Sequence, residues 1–392
     1  MPTRYRYLRI SCALMLTCFA IAQMHAQTVH PFTEGLFVEI PANYGREAIY
    51  TDVLLWHYYQ GSLLPPKAGQ PPFEADSVVS SFWAPINADT SGFFRPQPGT
   101  GGNLNSPNNP AGPGRIDEPS RTSQAAQPRR RWGPSYLYLT YQSPKAQAAT
   151  LNIRGNSAVL VNGQLHAGDP YRMGWMEVPV QLKKGTNEFY VRGLFVAAEL
   201  RFPEKPVYLN TDDPTLPDIV QGKENGQLLA GVVVVNTSSA ALSGLTVRSI
   251  TQGQTAETTL PDIPPASSRK VAIPINGSAV TETGDIQSEL TLSHKGKMMD
   301  HQPLSLRSVT PTVPYRVTFV SDIDGSLQYY AVNPATDGEK PGDALFFSVH
   351  GAGVEALGQA QAYHAKEWGT LVTSSVYEND QSFFGTQISL TK

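Results

Sequence analysis

The chain has 392 residues, enough for two or three domains, and 40% of them are hydrophobic, which supports ordinary folded cores. Only 16% are charged, while 33 glycines and 32 prolines favour short strands and turns over long helices. The formal net charge of −3 becomes −6 once three leader arginines are set aside, which argues against electrostatic capture of nucleic acid or an anionic membrane.

The leader is residues 1–26. Arg4, Arg6 and Arg9 form a basic start, and Ile10–Ala22 is a thirteen-residue apolar run, short for a bilayer span. It reads as an export signal cleaved after Ala22 or Ala26, which implies a periplasmic or secreted protein with no stable membrane insertion afterwards. Both cysteines, Cys12 and Cys18, lie inside it. The mature chain is then without thiols, so disulfides, thiolate metal sites and cysteine nucleophiles drop out together.

Residues 27–202 read as a first β-sandwich. "AIYTDVLLWHYYQG" (Ala48–Gly61) fits a strand or a short helix poorly in either period. A long insertion, about 64–134, includes "PGTGGNLNSPNNPAGPG" (Pro98–Gly114), which has no apolar face to bury and is expected to be disordered. The "RRR" cluster at Arg129–Arg131 lies in the same loop. Clear strands follow at Tyr136–Gln142, Ala149–Gly155 and Ala158–Gln164, the last entering an Asn-Gly turn. Trp175–Gly193 reads as two strands around a Lys-Lys-Gly-Thr-Asn turn. The Val159–Gly163 pattern V-x-V-N-G, followed by L-x-x-G-x-N-x-x-x-V at Leu182–Val191, resembles the galactose-binding-like jelly rolls of secreted hydrolases. That resemblance implies a module that binds sugar or packs against a neighbour. Tyr171 and Trp175 are its carbohydrate-stacking candidates, although aromatics at strand ends also serve as core or rim.

Residues 203–227 hold four prolines and no periodicity and read as a linker, with the acids of "NTDD" (Asn210–Asp213) solvated in a turn. Residues 228–309 return to alternating strands, with a Pro-Pro turn in "DIPPASS" (Asp262–Ser268). They resemble the immunoglobulin-like spacer modules of bacterial surface enzymes. His294 and His301 lack a third ligand in the sequence, so no metal is assigned, and no cofactor is implied.

In residues 310–392, "SDIDG" (Ser321–Gly325) joins two alternating strands as a hairpin turn. "ALFFSVH" (Ala344–His350) is continuously apolar, the pattern of a strand covered on both faces. A glycine loop follows, then a helix with Ala356, Ala360 and Tyr363 on one face, then a strand at Trp368–Val372. "ALFFSVHGAG…QAYHAKEWGTLV" resembles the start of the catalytic domain of prolyl-oligopeptidase-like serine hydrolases, an α/β-hydrolase fold. The resemblance implies that backbone N–H groups of Gly351, Ala352 and Gly353 form an oxyanion hole, with His350 shaping the loop. Such a hydrolase needs a Gly-x-Ser-x-Gly elbow, an acid and a histidine, and none is recognisable here, so nucleophile, acid and base are absent.

The fold class expected is therefore multidomain and mainly β: two β-sandwiches followed by an incomplete, doubly wound α/β-hydrolase domain, poorly ordered or aggregation-prone from Thr310. The function expected is an exported peptidase or esterase, truncated and inactive as written, whose ligand would be a peptide or ester. The alternative is a non-catalytic secreted or cell-surface protein that binds carbohydrate through aromatics such as Trp56, Trp132, Tyr171 and Trp175.

Overall fold

The computed structural model describes residues 28–40, 52–74, 81–97, 100, 135–338, 340–349 and 354–374. The leader lies outside them, as do most of the Pro98–Gly114 loop, Arg129–Arg131 and Trp132. The described residues are mainly β, in several sheets, with two short helices.

The first unit comprises β1 (Thr28–Pro31), β2 (Glu34–Glu39), α1 (Val53–Gln60), β3 (Ala84–Asn87), β4 (Phe93–Phe94), β5 (Ser135–Ser143), β6 (Gln147–Val161), β7 (Gln164–Ala167), β8 (Val178–Leu182) and β9 (Gly185–Phe202). All nine strands belong to one sheet, whose main path is β3-β2-β5-β9-β6-β7. Its spine is the long antiparallel pair β6 and β9. The register shifts on either side of Asn156, the mark of a β-bulge. Gly155 has φ of 89°, and a Cβ there would lie 2.0 Å from the Phe195 carbonyl oxygen, so only glycine fits. Gly193 faces it, with no room for a Cβ against the Gly155 oxygen at 2.6 Å. The two glycines bend both strands together.

The bend lays one half of the sheet over the other. Leu137, Leu139, Val159, Phe189 and Val191 come from one half, and Ala149, Leu151, Ile153, Val196, Ala198 and Leu200 from the other; together they form one core. Burying each large aliphatic side chain there contributes about 1.5–3 kcal/mol. On the outer face of the first half, α1 covers a second core built around Leu54, Trp83, Tyr136 and Tyr190. Asp52 caps that helix, its carboxylate accepting from Leu55 N–H, and Gly61 ends it with φ of 71°. The ambiguous stretch is thus a helix. The long insertion carries β3, paired with β2, and β4, paired with β9, so residues 84–87 and 93–94 are ordered strands rather than disordered loop.

The second unit comprises β10 (Val207–Thr215), β11 (Asp218–Val220), β12 (Leu228–Asn236), β13 (Leu245–Thr251), β14 (Gln254–Thr259), β15 (Ser267–Ile275), β16 (Gly284–His294) and β17 (Lys297–Val309). The sheet β10-β12-β15 packs on β11-β17-β16-β13-β14 around a Val/Ile/Leu core. The linker expected at 203–227 is corrected here: β10 pairs with β12, and β11 runs parallel to β17. "NTDD" lies within β10, where Asp213 meets Lys270 at 3.4 Å.

The last sheet comprises β18 (Tyr315–Val320), β19 (Leu327–Asn333), β20 (Ala344–Val349), α2 (Ala356–Ala362) and β21 (Gly369–Ser374), in the order β18-β19-β21-β20. The "SDIDG" hairpin joins β18 to β19 as its sequence predicts. Ala356 and Ala360 are buried against Ala331, but α2 stops at Ala362, and Tyr363 stays half exposed.

Two expectations fail in this sheet. β20 is not covered on both faces: Leu345, Phe347 and Val349, which share one face, are 72%, 66% and 64% exposed, because among the described residues no layer packs over that face. Nor is a doubly wound α/β domain present among the described residues. One seven-residue helix lies against the sheet, while its other side packs through Tyr315 and Val332 on Val220 and Val309 of the second unit. A doubly wound domain alternates parallel strands with helices on both faces.

Candidate functional site

The sheet's bend positions one loop with unusual firmness. Residues 168–177 join β7 to β8 and are tied to the bulge, since Gly155 N–H donates to the Asp169 carbonyl at 2.8 Å. Asp169 is buried, and its carboxylate accepts from Met173 N–H at 3.0 Å and Gly174 N–H at 2.6 Å. The second half is pinned from below. Asn152 Nδ2 on β6 donates to the carbonyls of Gly174 at 2.7 Å and Met176 at 3.0 Å, one on each side of Trp175.

Tyr171 occupies the free arc between these anchors and is 54% exposed. Trp175 is half buried, and its carbonyl accepts a long 3.5 Å bond from Asn210 Nδ2 of β10. The structure therefore puts both predicted aromatics on one rigid loop, with Tyr171 outward and Trp175 set toward the second unit. Trp56 is exposed on α1 and meets His57 edge-on; it is not part of this loop.

Around the loop lie residues that sequence reading missed. Arg154, Ala197 and Phe93 are direct register partners across β6, β9 and β4. The small Ala197 lets the Arg154 guanidinium reach Phe93, its Cζ 5.1 Å from the ring centroid. Arg95 stacks at the same distance from that ring and pairs with Asp89 at 2.5 Å. Arg172 lies over Phe195 at 5.6 Å and holds a left-handed backbone, φ 62°. One signal in the sequence pointed this way: Thr150, Asn152 and Arg154 alternate with Leu151 and Ile153 on β6, and so share the face of the strand opposite them.

A second feature is a cleft of about 680 Å³ between the second unit and the last sheet, lined by Asp218, Lys223, Tyr315 and Arg316 among others. Three of its charged residues, Asp218, Lys223 and Arg316, are engaged by neighbours. The buried Asp218 carboxylate accepts from Arg307, from Arg316 Nη2 at 2.8 Å and from Arg316 N–H at 2.8 Å. Lys223 Nζ donates to Tyr315 Oη at 2.6 Å. This cluster holds two sheets together. His301, the paired candidate of His294, meets Glu289 at 3.2 Å on the surface.

His350, Gly351, Ala352 and Gly353 lie outside the described residues. No family model matches the chain, and no curated protein matches it. Among solved structures it is similar to an exo-chitosanase from Amycolatopsis orientalis (14% identity, TM-score 0.32), covering 78% of this chain and 36% of that one. It is similar also to a GH2 β-galacturonidase from Eisenbergiella tayi (12%, TM-score 0.31, 85% and 49%) and to a β-glucuronidase from Ruminococcus gnavus (13%, TM-score 0.29, 84% and 50%). The chain spans half or less of each of these proteins, and likeness this slight carries no assignment of activity. The resemblance to prolyl-oligopeptidase-like serine hydrolases is corrected by the fold: the described residues are mainly sheet with two short helices, and the doubly wound α/β domain that the resemblance implied is not among them.

Proposed function

We propose that this chain is an exported, non-catalytic carbohydrate-binding protein, with its binding surface on the 168–177 loop of the first unit. The peptidase or esterase reading is withdrawn with the α/β domain that motivated it. The observation that carries the proposal is the exposed Tyr171 on a loop pinned twice, by Asp169 and by Asn152. Sugar rings present C–H faces that pack on an aromatic ring, and a platform already fixed in place loses little entropy on binding.

The test is a glycan array probed with the full chain, alongside Tyr171→Ala. Retention of at least one glycan class, weakened roughly tenfold by the substitution, is the expected result, the size of one lost aromatic contact. A folded chain that retains no glycan overturns the proposal.

A further inference from the structure

The loop's charge narrows the ligand. Arg154 and Arg172 have no carboxylate partner among the described residues, and the nearby acids are already engaged. Asp89 pairs with Arg95, Glu199 pairs with Arg201, and Asp169 is turned inward onto two amides. Each arginine packs on a glycine of the other's segment at the bulge. Arg172 Nε lies 3.4 Å from where a Cβ on Gly155 would be, and Arg154 Cδ lies 3.0 Å from the equivalent position on Gly174. Both guanidiniums also rest on aromatic rings, Phe195 and Phe93, which limits their freedom before any ligand arrives. Tyr171 is the immediate neighbour of Arg172.

From this juxtaposition we infer that the 168–177 surface takes a carboxylate-bearing sugar, a uronate residue within an acidic polysaccharide, with Arg154 and Arg172 receiving the carboxylate and Tyr171 the ring. Planar guanidiniums match a carboxylate through paired N–H donors, a geometry that a neutral hydroxyl cannot reproduce. The inference rests on the carbohydrate-binding reading above and specifies its ligand.

The experiment compares three immobilised polymers with the full chain: polygalacturonate, its methyl ester and a neutral galactan. Polygalacturonate is expected to bind at least tenfold more tightly than its ester, and the preference is expected to shrink as salt rises. Arg154→Gln and Arg172→Gly are each expected to weaken polygalacturonate binding about tenfold and to weaken galactan binding by clearly less, so that the preference for the acid shrinks. Arg172→Gly also relaxes the backbone, so an unchanged or raised melting temperature separates lost binding from lost folding. Equal binding of acid and ester, or arginine variants that bind polygalacturonate normally, overturns the inference and leaves the broader reading standing. Binding to galactan alone has the same meaning. If the folded chain binds none of the three, the inference falls, and the glycan array decides whether the broader reading falls with it.

Discussion

Strands β12 and β20 look alike on paper and differ in space. "LLAGVVVV" and "ALFFSV" are both unbroken apolar runs, the signature of a strand hidden on both faces. In β12 that holds: Val232, Val233, Val234 and Val235 are all buried. The strand sits between β10 and β15, with the core of its sandwich on one face. Its other side meets the last sheet, where Thr318 Oγ1 of β18 donates to the Leu229 carbonyl at 2.7 Å. Among the described residues, β20 has one neighbouring strand and no second sheet over Leu345, Phe347 and Val349. An apolar run records what a strand can tolerate burying. Its neighbours decide what is buried.

Three substitutions probe this contrast. Val234→Asp places an unpaired charge in the central core and is expected to cost at least about 3 kcal/mol, enough to lower the thermal midpoint sharply in calorimetry. A midpoint near the parent's would mean that β12 is less enclosed than described. Asp218→Ala tests the clamp between the second unit and the last sheet. It leaves Arg307 and Arg316 without their buried counter-charge, for an expected loss of roughly 3 kcal/mol by denaturant titration. The loss should fall on the last sheet, so protease cuts within residues 315–374 should quicken first. Phe347→Lys is the smallest change: stability should move by less than about 0.5 kcal/mol, while the concentration at which the protein precipitates rises. A large destabilisation there would show that β20 is covered after all.

The same contrast explains what could be read in advance. The strands of β5–β9 were legible because alternation and turn residues agree, although Ala149–Gly155 and Ala158–Val161, expected in separate strands, are parts of the one bulged strand β6; β6 and β7 are joined by Asn162-Gly163, as expected. β10 escaped because "VYLNTDDPT" is polar and proline-bearing, and only pairing with β12 makes it a strand. β3 and β4 escaped because their sequences, "APIN" and "FF", are too short to show a period amid glycine and proline. At the candidate site, Tyr171 and Trp175 could be named as candidates from residue type and place. The arginines were not. Arg154 and Arg172 are brought together by a bulge whose pairing spans residues far apart in the chain, and no local pattern encodes that meeting.

The bend at Gly155 and Gly193 has a thermodynamic consequence. Because β6 and β9 each run through both halves of the first unit, neither half can open alone without parting the same two strands. Amide protons in the two halves should therefore exchange with one shared opening free energy, and the 168–177 loop, hung on that hinge, should gain protection only when the whole unit does.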